Sequence, residues 1–290
     1  MAKRKRSKAA FEIYQAKADP AIASAIAATT SPFTIEIQFL GGLTQRQKNA
    51  FKTAADRWTK MIVGDLPSVL VDGQVIDDVL ILAQGVAIDG PGGILGQAGP
   101  SHLRPSNAGV AAFLPAKGIM SFDTADLVKM EQIGTLNDVI THEMGHVLGI
   151  GTLWSRKSLL RWAGTSNPTF VGTNAKREYR ALRGGGTLRA VPVENMGGQG
   201  TRDAHWRESI FRNELMSGFI AASGNPISRM TVASLQDLGY AVDLNAAEPY
   251  ELPNLLRLAE AGLLATHEAP IDMGMMLPNI PVVLPADSLQ

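Results

Sequence analysis

The sequence predicts an α+β fold in which an N-terminal mixed sheet with its helices is followed by an irregular C-terminal subdomain. Three observations predict it. Residues 33–40 alternate, with Phe33, Ile35, Ile37 and Phe39 set against Thr34, Glu36 and Gln38, the period-two pattern of a half-buried strand. A helical pattern then runs from Thr44 to about Val63, and the nearly all-apolar stretch from Asp78 to Ile88 reads as a second, central strand. From Ile150 to Ala204, by contrast, Gly, Arg and Asn are frequent and neither period holds.

Taken in order, residues 1–31 read as a basic mobile tail. Lys3, Arg4, Lys5, Arg6 and Lys8 resemble the start of a signal peptide, but Glu12, Lys17 and Asp19 interrupt any apolar core that could follow. Gly41 and Gly42 end the first strand, and Thr44 caps the helix whose buried side is Phe51, Ala54, Ala55, Trp58, Met61 and Ile62. The Gly- and Pro-rich stretch 90–105 reads as loops around a short strand at Ile94–Ala98, and Gly118–Phe122 is another short strand. A helix is expected over Ser228–Leu238, stopped by Gly239. Beyond Glu248 a Pro-spaced tail, with a short helix around 252–264, wraps the body. The expected organisation is a tail at 1–31, one catalytic domain at 32–250 and a C-terminal wrapping tail at 251–290. Within the domain the parts are an N-lobe at 32–149, an insertion at 150–204 and a C-lobe at 205–250.

Composition narrows the chemistry. The formal charge is zero, with 27 basic and 27 acidic residues, so no global field draws the chain to nucleic acid or an anionic membrane. The short basic run at residues 3–8 reads as a solvated terminus, and no nucleic-acid partner is expected. No run of about 18 apolar residues is present, so no transmembrane segment is expected. The sequence leaves export and a cytoplasmic location equally open. There is no cysteine, which removes disulfides, thiolate metal sites and cysteine nucleophiles together. Any metal must be held by His, Asp or Glu, and there are only five histidines.

Two of them fall in Thr135–Gly149, TLNDVITHEMGHVLG. Thr135 with Asp138 three residues on resembles a capping box, and Gly149 is a helix stop. At about 100° per residue, Leu136, Ile140, Met144, Val147 and Leu148 form one apolar stripe, while His142 and His146 lie together on another face. Two imidazoles one turn apart can converge on one ion, and Glu143 falls beside that ion, where a carboxylate can take a proton from water. With histidine so scarce, H-E-x-x-H is a strong signal for zinc. A catalytic zinc commonly has three protein ligands. A compact motif would place the third histidine at position 152, which is Thr152. His205 is assigned instead, with 150–204 looping out before it; Glu194, Glu208 and Glu214 are the carboxylate alternatives. Asp138, one turn before His142, is a candidate to receive that histidine's second N–H. His102 reads as a loop residue.

These residues resemble the leishmanolysin-like metallopeptidases, a branch of the metzincins within the zincins. The likeness rests on HEMGHVLG at 142–149, the long insertion before the third histidine, and NELMSG at 213–218 after His205-Trp206. GGILGQAGP at 92–100, GIMSFDTADL at 118–127 and TVASLQDLGY at 231–240 look like family positions too, so the likeness spans about residues 33–250. The resemblance implies a zincin-type fold, His142, His146 and His205 as zinc ligands, Glu143 as catalytic base, Gly149 at the end of the active-site helix and Met216 as the methionine beneath the metal. Two departures stand out: the cysteine framework of the parasite surface enzymes is missing, and position 218 is Gly where some metzincins have tyrosine.

The expected function is that of a zinc-dependent endopeptidase with one catalytic Zn2+, acting on protein or peptide substrates. Zinc lowers the pKa of water to around 7, Glu143 accepts the proton, and the strand at 118–122 pairs with extended substrate. The alternatives are a zinc hydrolase acting on a non-peptide bond, and a non-catalytic binding or structural protein.

Overall fold

A computed structural model describes residues 11–90, 92, 96–198, 200–220, 223–254, 257, 271–272 and 280–290. The basic run at 3–8, residues 94 and 95 of the expected short strand and most of the helix expected around 252–264 lie outside them. The N-terminal half contains β1 (Glu12–Lys17), α1 (Pro20–Ala27), β2 (Thr34–Gly41), α2 (Gln45–Met61), β3 (Val69–Val71), β4 (Gln74–Ile76), β5 (Val79–Val86), β6 (Gly96–Leu103), β7 (Pro115–Asp123), α3 (Thr124–Ile133) and α4 (Leu136–Val147). The C-terminal half contains β8 (Leu160–Arg161), β9 (Thr169–Phe170), α5 (Thr173–Leu182), β10 (Val191–Pro192), α6 (Glu208–Phe211), β11 (Phe219–Ile220), α7 (Arg229–Leu238), β12 (Ile271–Asp272) and β13 (Val282–Val283).

The architecture is mixed α/β around a central mixed sheet of order β1-β2-β5-β7-β6-β13. β2, β5 and β7 run parallel, β1 is antiparallel to β2 and β6 to β7, and β13 is parallel to β6. The alternation read in 33–40 is the burial pattern of β2: Ile35, Ile37 and Phe39 are buried, Glu36 and Gln38 only partly. Val79, Ile81 and Ala83 of β5 belong to the main core, while Leu80 joins Val69, Val71, Ile76, Ala116 and Leu284 in a small cluster on the other face of the sheet.

The helix opening at Thr44 forms with a complete capping box, Thr44 and Gln47 each satisfying the other's backbone N–H. α2 lies across the main core face and packs on α4, and Trp58 of α2 donates its indole N–H to Thr141 O of α4 at 2.9 Å. α4 also lies against β7. Gly118 permits this, since a Cβ there would overlap Val147.

The N-terminal tail needs correction. Residues 12–17 are a sheet strand, and Asp19 caps α1 by accepting from Ala21 N and Ile22 N. Ala16, Ala18 and Ala23 pack into the core, and Glu12 is held by Lys48 at 2.7 Å and Lys52 at 3.1 Å. An edge strand with small buried residues and charged outer ones carries little hydrophobic signal. The insertion is likewise built: β10-β9-β8 form a three-stranded ladder, and α5 packs on α7. Among the described residues no helix is long and apolar enough to cross a membrane.

Candidate metal centre

α4 brings the sequence motif to the middle of the molecule. Its apolar stripe is buried as expected, but so are its other faces: His142, Glu143 and His146 are all buried as well. The helix ends in a Schellman turn, with Gly149 at φ 108°, its N–H on His146 O at 3.1 Å, and Ile150 N on Gly145 O at 3.0 Å. The turn has a chemical use. It presents Ile150 O to His146 Nδ1 at 2.9 Å. Thr152, where a compact motif would carry histidine, donates its hydroxyl to His146 O at 2.8 Å and so ties down the same turn.

His205 arrives from the far end of the insertion. Its flanks are clamped on both sides: Glu194 N donates to His205 O at 2.8 Å, and Trp206 N to Met216 O at 2.9 Å. Its Nδ1 lies 2.8 Å from Thr201 O. His142 Nδ1 lies 2.6 Å from Leu215 O, in the turn beneath the helix. Each Nδ1 therefore faces a backbone carbonyl, an acceptor only, and must carry the proton. The three Nε2 atoms are then bare lone pairs, and they point at one another: His142–His205 2.9 Å, His146–His205 2.9 Å and His142–His146 3.0 Å. No hydrogen is left to place between them.

Such an arrangement is repulsive unless a cation sits among the nitrogens. Zinc at about 2.0–2.1 Å from each of three tetrahedral ligands sets them about 3.3 Å apart, so a small outward adjustment admits it. Protonation state agrees with this. Burial lowers all three histidines, His146 to about 4 and His205 to about 3, and charge on His146 and His205 adds to the effect at His142. Neutral imidazole is the ligating form. Glu143 is wholly buried, neither carboxyl oxygen has a hydrogen-bond partner, and burial pushes its pKa well above the carboxylate range. Keeping a buried carboxyl bare is costly to the fold. Beside His146 opens a cavity of about 300 Å³, lined by Ala98, Gly151, Thr152, Leu160, Ala163 and Ala204 among others.

Met216 packs beneath the helix. A Cβ on Gly145 would lie 2.8 Å from Met216 Sδ, so the glycine inside HEMGH makes room for that side chain. Other expectations fail. Thr135 makes no side-chain cap bond, and Asp138 does not face His142. Its carboxylate instead accepts from Gly224 N at 2.6 Å, Asn225 Nδ2 at 3.0 Å and Arg57 Nη1 at 3.3 Å, because a cation and free backbone donors outbid a local cap. The carboxylate alternatives for the third ligand are engaged elsewhere: Glu194 accepts from Asn195 N, Met196 N and Glu208 N, and Glu214 from Met216 N and Ser228. Glu208 lies outside the metal-competent group as well. His102 is in β6, paired with Lys117 and Val282, and is not a loop residue. Asp65, Asp77 and Asp78 form a second acidic group, but Asp78 is committed to Thr34 and Leu66. The carbonyls of Leu215, Ile150 and Thr201 complete the centre. Backbone partners leave no trace in side-chain identity, apart from the Gly149 stop that presents Ile150.

The leishmanolysin family model matches residues 108–255, which contain the whole centre. The chain belongs to the leishmanolysin family. It is similar to leishmanolysin of Leishmania tropica, 30% identical over 163 residues that make up 50% of this chain and 24% of that protein. Leishmanolysin of Leishmania donovani is 31% identical over 148 residues, 48% of this chain and 24% of that one. A leishmanolysin-like peptidase of Caenorhabditis elegans is 37% identical over 71 residues, 24% of this chain and 10% of that protein. The matched stretch thus spans about a quarter of the length of the leishmanolysins. Leishmanolysin-family membership implies a metallopeptidase and a metzincin-like fold, and the buried His triad could hold a metal ion, consistent with zinc in such peptidases.

Proposed function

We propose that this chain is a zinc-dependent endopeptidase, with His142, His146 and His205 as ligands, Glu143 as general base and Met216 as the packing residue beneath the metal. The observation that carries the proposal is the convergence of three Nε2 lone pairs whose Nδ1 protons are each committed to a carbonyl. A zinc ion held there supplies a Lewis acid for the scissile carbonyl and acidifies water. Glu143 supplies the rest of the proton traffic. The positive charge of a bound zinc would offset the burial that raises Glu143, so that its unpartnered carboxylate accepts the proton of the attacking water and returns it to the leaving amine. The dry surroundings of Glu143 keep bulk water from competing for that proton.

Substrate pairing moves to a different strand from the one expected. β7 is bonded on both sides, by β5 and β6, and has no free edge for a peptide. β6 is the better platform. Beyond its bonds to β7 it pairs only at His102 and Leu103 with β13 among the described residues, and its Ala98 lines the cavity next to His146. An extended peptide laid along 96–101 passes the triad.

The test is zinc content and casein cleavage measured side by side on wild type and Glu143→Gln. About one zinc in each is expected, with cleavage in wild type alone, abolished by chelator. A chain without zinc, or Glu143→Gln cleaving at the wild-type rate, overturns the proposal. A zinc-loaded wild type inert on casein and on unstructured peptides points to a non-peptide bond.

A further inference from the structure

Glu214 takes no part in the chemistry above, yet it is fully buried and its carboxylate is met by four donors. One oxygen accepts from Met216 N at 2.6 Å. The other accepts from Ser228 N at 3.0 Å, Ser228 Oγ at 2.8 Å and the Thr231 hydroxyl. Thr231 Oγ1 has spent its hydrogen on Glu214, and its lone pair accepts the indole N–H of Trp206 at 2.7 Å. Trp206 is the neighbour of His205. Between Glu214 and Met216 stands Leu215, whose carbonyl fixes His142 Nδ1. One carboxylate therefore holds the turn that orients the first ligand and, through Thr231 and Trp206, the backbone that carries the third.

We infer that Glu214 is a positioning residue for the metal centre, setting His142 and His205 against each other across the Leu215 turn and the Trp206 indole. The inference rests on the metal reading above. The requirement is for an acceptor at both oxygens. Glutamine has nearly the same shape but must turn an NH2 group either to the Met216 N–H or to the Ser228–Thr231 donors, so one side of the network opens. Loss of a comparable outer partner typically weakens metal binding by about 10–100-fold.

The experiment uses the full chain with zinc alone as the probe. Zinc affinity is measured by competition with a chromophoric chelator, well below the melting temperature of each metal-free variant. The Co2+-substituted absorption spectrum is recorded beside it. Wild type, Glu214→Gln, Thr231→Val and Leu80→Ala are compared. Leu80 lies in the small cluster on the far face of the sheet, so Leu80→Ala lowers stability without touching the centre. The expected result is zinc binding weaker by about 10-fold or more in Glu214→Gln, weaker by a smaller factor in Thr231→Val, with an altered Co2+ spectrum in both, and unchanged in Leu80→Ala. Wild-type affinity and spectrum in Glu214→Gln, or an equal loss in Leu80→Ala, overturns the inference. If Glu214→Gln does not fold, Thr231→Val decides it in the same terms. A wild type that binds no zinc instead defeats the metal reading itself.

Discussion

Gly145→Ala sets two physical effects against each other inside the metal-binding helix, and the structure says which wins. Glycine in a helix interior costs about 1 kcal/mol relative to alanine, so propensity alone makes the substitution stabilising by that amount. The new methyl would lie 2.8 Å from Met216 Sδ, 3.0 Å from Met216 Cε and 3.0 Å from Trp58 Cζ2. Met216 Sδ must therefore shift, and Trp58 must give by a few tenths of an ångström. Met216 can yield at modest cost, since the atoms met are the far end of a flexible side chain. Trp58 cannot swing away, because it is wholly buried and bonded to Thr141 O. Overpacking of this kind costs typically about 1–3 kcal/mol, and one yielding thioether beside one fixed indole puts it near the middle of that range. The net expectation is a loss of about 1 kcal/mol.

Denaturant unfolding of the metal-free chain measures it. The midpoint should fall with an unchanged slope, and Met216→Ala should cost less in the Gly145→Ala background than in wild type, giving a coupling energy of about 0.5–3 kcal/mol. A Gly145→Ala protein as stable as wild type, or more stable, refutes the reasoning, since it would mean that the space under HEMGH is not filled by Met216 and Trp58.

Arg104 is fully buried and donates to the carbonyls of Pro67, Asp77, Asp78 and Pro115, so Arg104→Met should strand these acceptors and cost about 3–5 kcal/mol by denaturant unfolding; a loss below 1 kcal/mol, roughly, speaks against the role. Asp78 gives a pH signature. Burial pushes its pKa up to about 7, against the three hydrogen bonds it accepts from Thr34 and Leu66. A carboxyl raised in the folded state contributes stability that is present below its unfolded pKa and lost as pH rises through the folded value, at about 1.4 kcal/mol per unit. The stability of wild type minus that of Asp78→Asn should therefore fall between about pH 4 and pH 7 and level off above. A difference that grows over this window contradicts the raised pKa.

What could be read in the sequence was whatever its residues settle locally. β2 and α2 are written in their own periods, and α2 carries both halves of its capping box in Thr44 and Gln47. The metal helix is legible because its two histidines are spaced by one turn and Gly149 ends it. α3 is legible in the same way, although no helix is expected there above: Asp123 caps it and Gly134 at φ 79° stops it. α5 was not legible. Its first turn is capped from another element, by Asp237 accepting from Asn174 N and Ala175 N at 2.9 Å, and no local residue announces it. The same holds for Asp138, whose sequence neighbours suggest a cap and whose partners come from 81 and 86 residues away. Sheet position was equally hidden, since the run 118–122 reads the same whether it lies at an edge or, as β7 does, between two strands.

The placement of the third histidine shows why a long insertion is tolerable in a chain without disulfides. His146 and His205 are 59 residues apart, against 6 for the Thr152 position of a compact motif. Loop closure scales with the logarithm of length, so a tenfold longer loop costs only about 2 kcal/mol more. The insertion carries its own means of offsetting that. Trp154 near its start, Phe170 within it and Trp206 just past its end are all fully buried, with ring centroids 4.6 Å (Trp154–Trp206), 5.1 Å (Trp154–Phe170) and 5.5 Å (Phe170–Trp206) apart. Each such side chain contributes about 1.5–3 kcal/mol by burial, and each ring pair about 0.5–1.5 kcal/mol beyond it. The aromatic knot exceeds the closure cost by a wide margin, and it is tied at the residue next to His205. The distance along the chain is therefore no obstacle to bringing the third imidazole to the other two.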